Sequence, residues 1–416
     1  MTHPSAAAPA GTARPRERAS LRPANLGTIL RLLRDRGPRS RAQIATDTGL
    51  PKPTVTPLVA ELVGRGLLRE GPARREGAVG RPGTLVHLDG RGLAGVGVEI
   101  STSYLHLLAL TPRGDVVAEH REPLAVAQAG PGAVLDRTAA VVTDCLDALA
   151  GDGVRPVGLT LAAPGVVDTV NGTVVHAPGV GWRDVPVLAG LRTRLGAAHP
   201  PLALDNDAKL AALAEYFLDR DEGVHDMVCV TGERGVGAGI ISAGQLLRGA
   251  TGFAGEVGHM PLDPERRPCV CGRHGCWQGM VGLDAVLRLA ADEGDAPHDP
   301  GVAPEARLAR LRERARDGDP RTLRALERVA DDLGLGLALL ADVLNPRLIV
   351  LGGYFTHLGD LMLPRVQEVV RDRVMAPDAG GCEVRLSALG FAAAARGGAY
   401  LALDAVYRDP GAYGER

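Results

Sequence analysis

Between Gly258 and Gly282 the chain reads GHMPLDPERRPCVCGRHGCWQGMVG, and four side chains in it have the types and spacing of a metal-ligand set: His259, Cys269, Cys271 and Cys276. The gaps between them are 10, 2 and 5 residues. Three thiolates and a neutral imidazole close the tetrahedral shell of a structural zinc. His274 competes for the imidazole place, but it stands two residues before Cys276 and is expected to point away from the knuckle. Gly272 and Gly275 supply the tight backbone turns a knuckle needs. Pro261, Pro264 and Pro268 make the span a loop, not a helix. Three of the six cysteines fall within these eight residues, which argues against unrelated buried thiols. A closed shell has no position for water, so the metal is expected to be structural. Zinc of this kind contributes roughly 10–16 kcal/mol of apparent binding energy in small modules.

A chain of 416 residues fits two or three domains. It is 45% hydrophobic but only 3% aromatic, so Ala, Val and Leu must fill the core. The charge is unevenly spread. Residues 1–90 hold 15 Lys and Arg against 7 Asp and Glu, a net +8, and the remainder holds 32 against 42, a net −10. A basic front on an acidic body points to a polyanion met only by the front. No apolar run reaches the length of a membrane span, and the first residues lack the apolar core of a secretory signal. Cysteines assigned to a metal, with Cys145, Cys229 and Cys382 isolated, fit a reducing cytoplasm rather than a disulfide framework.

Residues 1–20 have no apolar period and read as a disordered arm. Residues 21–90 read as a winged helix-turn-helix. Leu26, Ile29, Leu30 and Leu33 recur at helical spacing up to Gly37-Pro38. Ser40 opens a second helix, with Gln43 completing a capping box. Thr48-Gly49-Leu50 turns the chain, and a third helix runs from about Pro53 to Val63. It would enter the major groove with Lys52, Thr54 and Thr56 near its start. Leu67–Arg69 and Leu85–Leu88 read as the strands of a wing, and the loop Gly71–Pro82 brings Arg74, Arg75 and Arg81 to the phosphates.

Residues 91–416 read as two α/β lobes around a cleft. Strands at Leu93–Ile100, Tyr104–Leu110 and Asp115–Glu119 precede a helix near Gly132–Leu149, then strands at Pro156–Leu161 and Leu202–Leu204. A comparable order follows. Strands lie at Met227–Thr231, Gly237–Ser242 and Gln245–Leu247, then the metal loop, two or three helices, and strands at Leu348–Leu351 and Glu383–Ser387. A last helix near Ala393–Val406 should pack back on the first lobe.

These stretches resemble the ROK family of repressors, open reading frames and kinases, from about Asn25 to Val406. The strongest marks are Gly255-Glu-Val-Gly-His259, the run CVCGRHGC and Asn206-Asp207. The resemblance implies a winged helix-turn-helix followed by a two-lobed actin-like, ribonuclease H-like α/β domain. It also implies zinc on His259, Cys269, Cys271 and Cys276, a sugar site in the cleft, and a regulator that is a homodimer or homotetramer. Asp207 matches the position of the kinase base, and Asn206, Glu256 and His259 match sugar-contacting positions.

Several positions depart from that pattern. The first phosphate turn, Gly-Gly-Thr in the kinases, is matched by Glu99-Ile-Ser-Thr-Ser, where Glu99 would repel phosphate. The second, usually Gly-Thr-Gly, is Glu233-Arg234-Gly235. An expected Asn is Gly179, another is Lys209, and the Glu after the last cysteine is Gln278, which keeps an acceptor and gains donors. The expectation is therefore a non-catalytic, sugar-responsive transcription regulator with a dismantled nucleotide site.

Overall fold

The computed structural model describes residues 15–74, 83–197, 199–219, 223–292, 294–295, 302, 304–376 and 382–413. The chain divides into two units, one made of Met1–Gly92 with Asp404–Arg416 and the other of Leu93–Leu403.

In the first unit, helix α1 (Pro15–Arg36) is followed by a short strand β1 (Arg39–Ser40) and by α2 (Arg41–Thr48) and α3 (Lys52–Gly64). The capping box forms as the sequence predicts. The Gln43 backbone N–H donates to Ser40 Oγ and the Ser40 N–H donates to Gln43 Oε1, at 3.3 and 2.8 Å. Gly49 ends α2 in the left-handed region, at φ 71°. Leu26, Ile29, Leu30, Leu33, Ile44, Val55, Val59 and Leu62 close a shared core, each 3% exposed or less. Strands β2 (Leu68–Arg74) and β3 (Gly83–Leu88) pair antiparallel, and β1 joins the other side of β3. The wing strand thus runs through Arg74, which the sequence reading placed in the loop. Arg75 and Arg81 lie outside the described residues.

Two differences from the sequence reading concern the ends of the chain. Residues 15–20, expected in the disordered arm, are the first turns of α1, starting at Pro15, a residue suited to a helix's first position. The sequence PRERAS has no apolar period, so pattern alone does not mark it as helix. The last residues also belong to this unit rather than to the body. Arg31 Nη1 donates to the Tyr407 carbonyl at 2.8 Å, the Arg34 guanidinium lies 4.6 Å above the Tyr407 ring, and Arg65 Nη1 donates to the Gly411 carbonyl at 2.9 Å. A Cβ on Gly27 would come within 2.2 Å of the Tyr407 carbonyl oxygen, so only glycine allows this approach.

The second unit carries the same five-stranded sheet twice. The first lobe holds β4 (Leu93–Ile100), β5 (Tyr104–Leu110) and β6 (Val116–Pro123), helix α4 (Val126–Gly151) and β7 (Arg155–Ala163). Three short strands, β8 (Val166–Asp168), β9 (Thr173–Ala177) and β10 (Trp182–Val185), make a separate small sheet before α5 (Val187–Leu195) and β11 (Leu202–Asn206), and α6 (Asp207–Asp219) then crosses to pack on the second lobe's sheet at Gly237 and Gly239. The second lobe holds β12 (Met227–Gly232), β13 (Val236–Ser242), β14 (Gln245–Leu246), α7 (Gln278–Val281), α8 (Leu283–Ala290), α9 (Pro304–Arg316), α10 (Pro320–Leu344), β15 (Leu348–Gly353), α11 (Phe355–Arg373) and β16 (Glu383–Leu386), and the last helix, α12 (Ala393–Arg408), packs back on the first lobe's sheet at Gly95 and Gly97, as the sequence predicts.

The strand orders are β11-β7-β4-β5-β6 and β14-β13-β12-β15-β16. In each sheet the first strand in sequence sits centrally. The next two run antiparallel on one side, and the last two run parallel on the other. That duplicated order is the actin-like, ribonuclease H-like architecture. Leu210, Tyr216, Met227, Cys229, Ile241, Val350 and Ala393 form an apolar cluster that takes side chains from both lobes. Among the described residues no helix is long and apolar enough to cross a membrane.

Trp277 ties the metal loop to the second lobe. It is wholly buried, and its indole N–H donates to the Asp332 carbonyl of α10 at 2.9 Å. A Cβ on Gly336, one turn on, would lie 2.2 Å from the ring. Alanine at that place improves helix propensity by about 1 kcal/mol, but overpacking a rigid ring costs about 1–3 kcal/mol. Gly336→Ala is therefore expected to lower unfolding stability by up to about 2 kcal/mol in urea denaturation. A variant as stable as its parent would show that the ring is free to move.

Candidate metal centre and ligand cleft

The knuckle is built by backbone turns. Cys269 N–H donates to the Arg273 carbonyl at 2.8 Å and Gly272 N–H to the Cys269 carbonyl at 2.9 Å. Gly272 and Gly275 have φ of 85° and 81°, as their places between the cysteines predict. Isolated antiparallel bridges pair Pro268 with His274 and Pro261 with Cys276. Asp263, which the sequence reading passed over, braces the loop. Its carboxylate accepts from Arg267 Nε and Nη2 at 2.8 and 2.9 Å and from two backbone N–H groups, and the Arg267 guanidinium holds its acid below the usual range.

This scaffold brings the four expected ligands together. One donor atom from each of His259, Cys269, Cys271 and Cys276 lies within 4.8 Å of the others. The Cys271 and Cys276 sulfurs are 3.7 Å apart, and Cys269 Sγ is 3.9 Å from His259 Nδ1. The edge of a tetrahedron with metal–sulfur bonds of about 2.3 Å is about 3.8 Å, so the spacing fits a metal of that size. Burial lowers the pKa of His259, favouring the neutral imidazole that metals bind. Burial also opposes the Cys271 thiolate, but hydrogen bonds from the Arg273 backbone and guanidinium outweigh it and bring the thiol to about 7. His274 is exposed, on the outside of the knuckle.

A cavity of about 320 Å³ adjoins this centre, within the range of small-molecule sites. Asn206, Asp207, Glu256, His259 and Gln278 all line it, together with Gly179. Asp207 sits at the first residue of α6. Its Oδ1 accepts from the Ala208 N–H at 2.7 Å and from Asn206 Nδ2 at 3.0 Å. Burial, with repulsion from Glu233 and Glu256, raises its pKa to about 7 against the Ala208 hydrogen bond. Burial also raises Glu256, offset by Lys209 and Arg273.

Two of the expected side chains are already engaged. Asn206 caps α6, since its Oδ1 accepts from the Lys209 N–H at 3.0 Å, and its Nδ2 donates to the Gly165 carbonyl and to Asp207. The capping of α6 thus falls mainly to Asn206. Gln278 donates from Nε2 to Cys269 Sγ at 3.2 Å, so its amide serves the metal centre. A glutamate there has no proton to give a thiolate. Lys209, 3% exposed, turns its ammonium to the Gly252 carbonyl. A Cβ on Gly179 would meet only Thr102 Cγ2, at 3.9 Å, so its missing side chain leaves open space over the cleft.

The phosphate-turn region differs from its sequence reading. Glu99 is 6% exposed, takes the Tyr104 hydroxyl on Oε1 at 2.9 Å, and leaves Oε2 without a partner. Burial first, then the charges of Glu233 and Asp207, pushes its acid well above the usual carboxylate range. The open negative charge expected at Glu99 is therefore suppressed. The Glu233 carboxylate instead faces the turn, where it accepts from the hydroxyls of Ser101, Thr102 and Ser103. The signal for this contact was present as three consecutive hydroxyl residues after the first strand, opposite an acid in the second turn.

The sequence matches the ROK family over residues 96–405 and the IclR helix-turn-helix domain over residues 24–72. It is 32% identical over 325 residues to a glucokinase of Halalkalibacterium halodurans, covering 74% of this chain and 94% of that protein. It is 26% identical over 355 residues to a xylose repressor of Caldicellulosiruptor bescii, covering 83% of this chain and 86% of that protein. A crystal structure of a ROK family transcriptional regulator, described as a homologue of the Escherichia coli MLC protein, aligns with a TM-score of 0.73 over 94% of this chain and 97% of that one. At 22% identity that likeness concerns the fold. With the family match spanning both lobes and the metal loop, the chain belongs to the ROK family.

Proposed function

We propose that the protein is a DNA-binding transcriptional repressor of carbohydrate-related genes, and that its two-lobed body senses a sugar without phosphorylating it. The observation that carries this reading is the joining of a winged helix-turn-helix to a sugar-kinase-shaped cleft in one chain. The likeness to a xylose repressor over 83% of the chain supports it. The protein acts in the cytoplasm as a homodimer or homotetramer whose heads read two half-sites.

Helix α3 lies in the major groove. Lys52 and Thr56 are exposed at its start and Thr54 is half-buried. Arg74, Arg75 and Arg81 of the wing bind phosphates. In the cleft Asp207 and Glu256 accept sugar hydroxyls, Asn206 orients Asp207, and His259 and Gln278 form the wall shared with the metal. The open space at Gly179 suits a ligand larger than the one a side chain there would admit. The metal is a structural zinc, because three thiolates and an imidazole leave no open coordination place. Sugar binding must favour one conformer of the body over another to change DNA affinity.

A sugar kinase bearing a DNA-binding head is the second reading, favoured by the glucokinase likeness and by Asp207 in the cleft. ATP consumption over a sugar panel separates the two, and turnover abolished by Asp207→Asn would establish the kinase.

The central test is binding to DNA from the gene's own upstream region, with and without each sugar of a panel. Release by at least one sugar is expected, and failure to bind DNA overturns the reading. Lys52→Ala should weaken binding and reduce the salt slope by about 1. The purified chain should hold about one zinc per subunit by elemental analysis. A Cys269→Ser/Cys271→Ser variant should lose the zinc and melt at a lower temperature. Full retention of zinc would remove both cysteines from the ligand set.

The pKa of Asp207 sets a pH dependence. Because its folded pKa is raised to about 7, it keeps a proton below that pH and becomes a carboxylate above it. The carboxylate is the stronger acceptor. Sugar affinity measured by calorimetry should therefore rise between about pH 6 and about pH 8, and Asp207→Asn should flatten the profile. An equally steep profile in the variant would assign the titration to another group.

A further inference from the structure

The contact between Glu233 and the turn after β4 is unusual in what it joins. Ser101, Thr102 and Ser103 lie directly after β4, at the end of the central strand of the first lobe's sheet. Glu233 follows β12, the central strand of the second lobe's sheet. Ser101 Oγ donates to both carboxylate oxygens at 2.7 Å, Thr102 Oγ1 donates to Oε1 at 2.7 Å, and Ser103 Oγ donates to Oε1 at 3.1 Å. Three consecutive hydroxyl groups thus converge on one carboxylate brought from the opposite lobe. Ser101 is wholly buried, so its hydroxyl has no water to fall back on. Hydroxyls arranged in this way recognise an oxyanion of any source, since carboxylate and phosphate oxygens offer the same lone pairs.

We propose that Ser101, Thr102 and Ser103 form a phosphate-type oxyanion cradle, that Glu233 fills it as an anion built into the chain, and that this contact latches the two lobes and shuts phosphate-bearing ligands out of the cleft. The inference rests on the sensing role proposed above and adds the ligand class: the cleft takes unphosphorylated sugars and rejects sugar phosphates and nucleotides. The surroundings reinforce the exclusion. Asp207 and Glu256 line the same cavity, so an arriving phosphate meets further acids as well as the Glu233 carboxylate. Arg234, the adjacent cation, is held by Asp284 at 3.2 Å.

The test compares the wild-type chain with Glu233→Ala and Glu233→Gln, using inorganic phosphate as the probe at constant ionic strength. Thermal shift should show no saturable phosphate effect in the wild type. Glu233→Ala should gain a saturable stabilisation, at least about tenfold tighter than any wild-type response. Adding Ser101→Ala and Ser103→Ala to Glu233→Ala should abolish that gain. Hydrogen exchange of residues 100–104 and 232–236 should be faster in Glu233→Ala without phosphate, because the latch is gone. Equal phosphate responses in wild type and variant overturn the proposal, as does a gain that survives loss of the hydroxyls. Unchanged exchange in both segments overturns the latch. If Glu233→Ala does not fold, Glu233→Gln is judged by the same criteria, since it keeps the shape and removes the charge. The sugar panel is run on the wild type alongside. A chain that answers to no sugar sinks the sensor role and leaves the phosphate comparison standing.

Discussion

Like charges drawn out of water repel, and the cleft gathers four acids, Glu99, Asp207, Glu233 and Glu256, around one cavity. Each is made tolerable in a different way. Glu99 takes a tyrosine hydroxyl, and its burial favours the protonated acid. Asp207 rests on the first turn of α6. Glu233 is met by three hydroxyls from the other lobe. Glu256 has Lys209 and Arg273 nearby. Much of the local architecture follows from these arrangements. The strand β11 ends where Asn206 can cap α6 and hold Asp207, and the two turns at the strand ends meet because an acid on one finds donors on the other.

The candidate metal centre poses the same problem with sulfur. Three thiols and an imidazole within 4.8 Å are compatible as thiolates only around a cation. The loop that carries them is otherwise poor in regular structure, with two isolated bridges and a 3-10 turn at Val257–His259. Its order depends on the ligand set, on Asp263 with Arg267, and on Trp277 driven against α10 at Gly336. Gln278 joins the two centres, because its amide lines the cavity and donates to Cys269.

The most legible parts of the sequence were those where residue type alone dictates geometry. The capping box at Ser40 and Gln43, the knuckle glycines, the clustering of the four candidate ligands and the duplicated strand order all follow from spacing. The unread parts have physical reasons. Strands β8, β9 and β10 are three to five residues long, too short to show a period. Helix α11 carries Pro364 in its interior, which masks its helical pattern. The roles of Glu99 and Glu233 depend on a meeting of residues 132 positions apart in sequence, and no local pattern announces it. Lone acids read as open charges until the partner that neutralises them is seen.

The residues from Asp404 onward cluster with the first ninety-two, which has a consequence for how the chain matures. At a ribosome's pace of about 5–20 residues per second, the 376 positions from Arg31 to Tyr407 take roughly 20–75 s to make. Throughout that time the nascent front helices lack the Tyr407 and Gly411 carbonyls that Arg31 and Arg65 bind. The front helices therefore wait for residues beyond Asp404 to be made, so this unit closes only after the body that interrupts it has been synthesised.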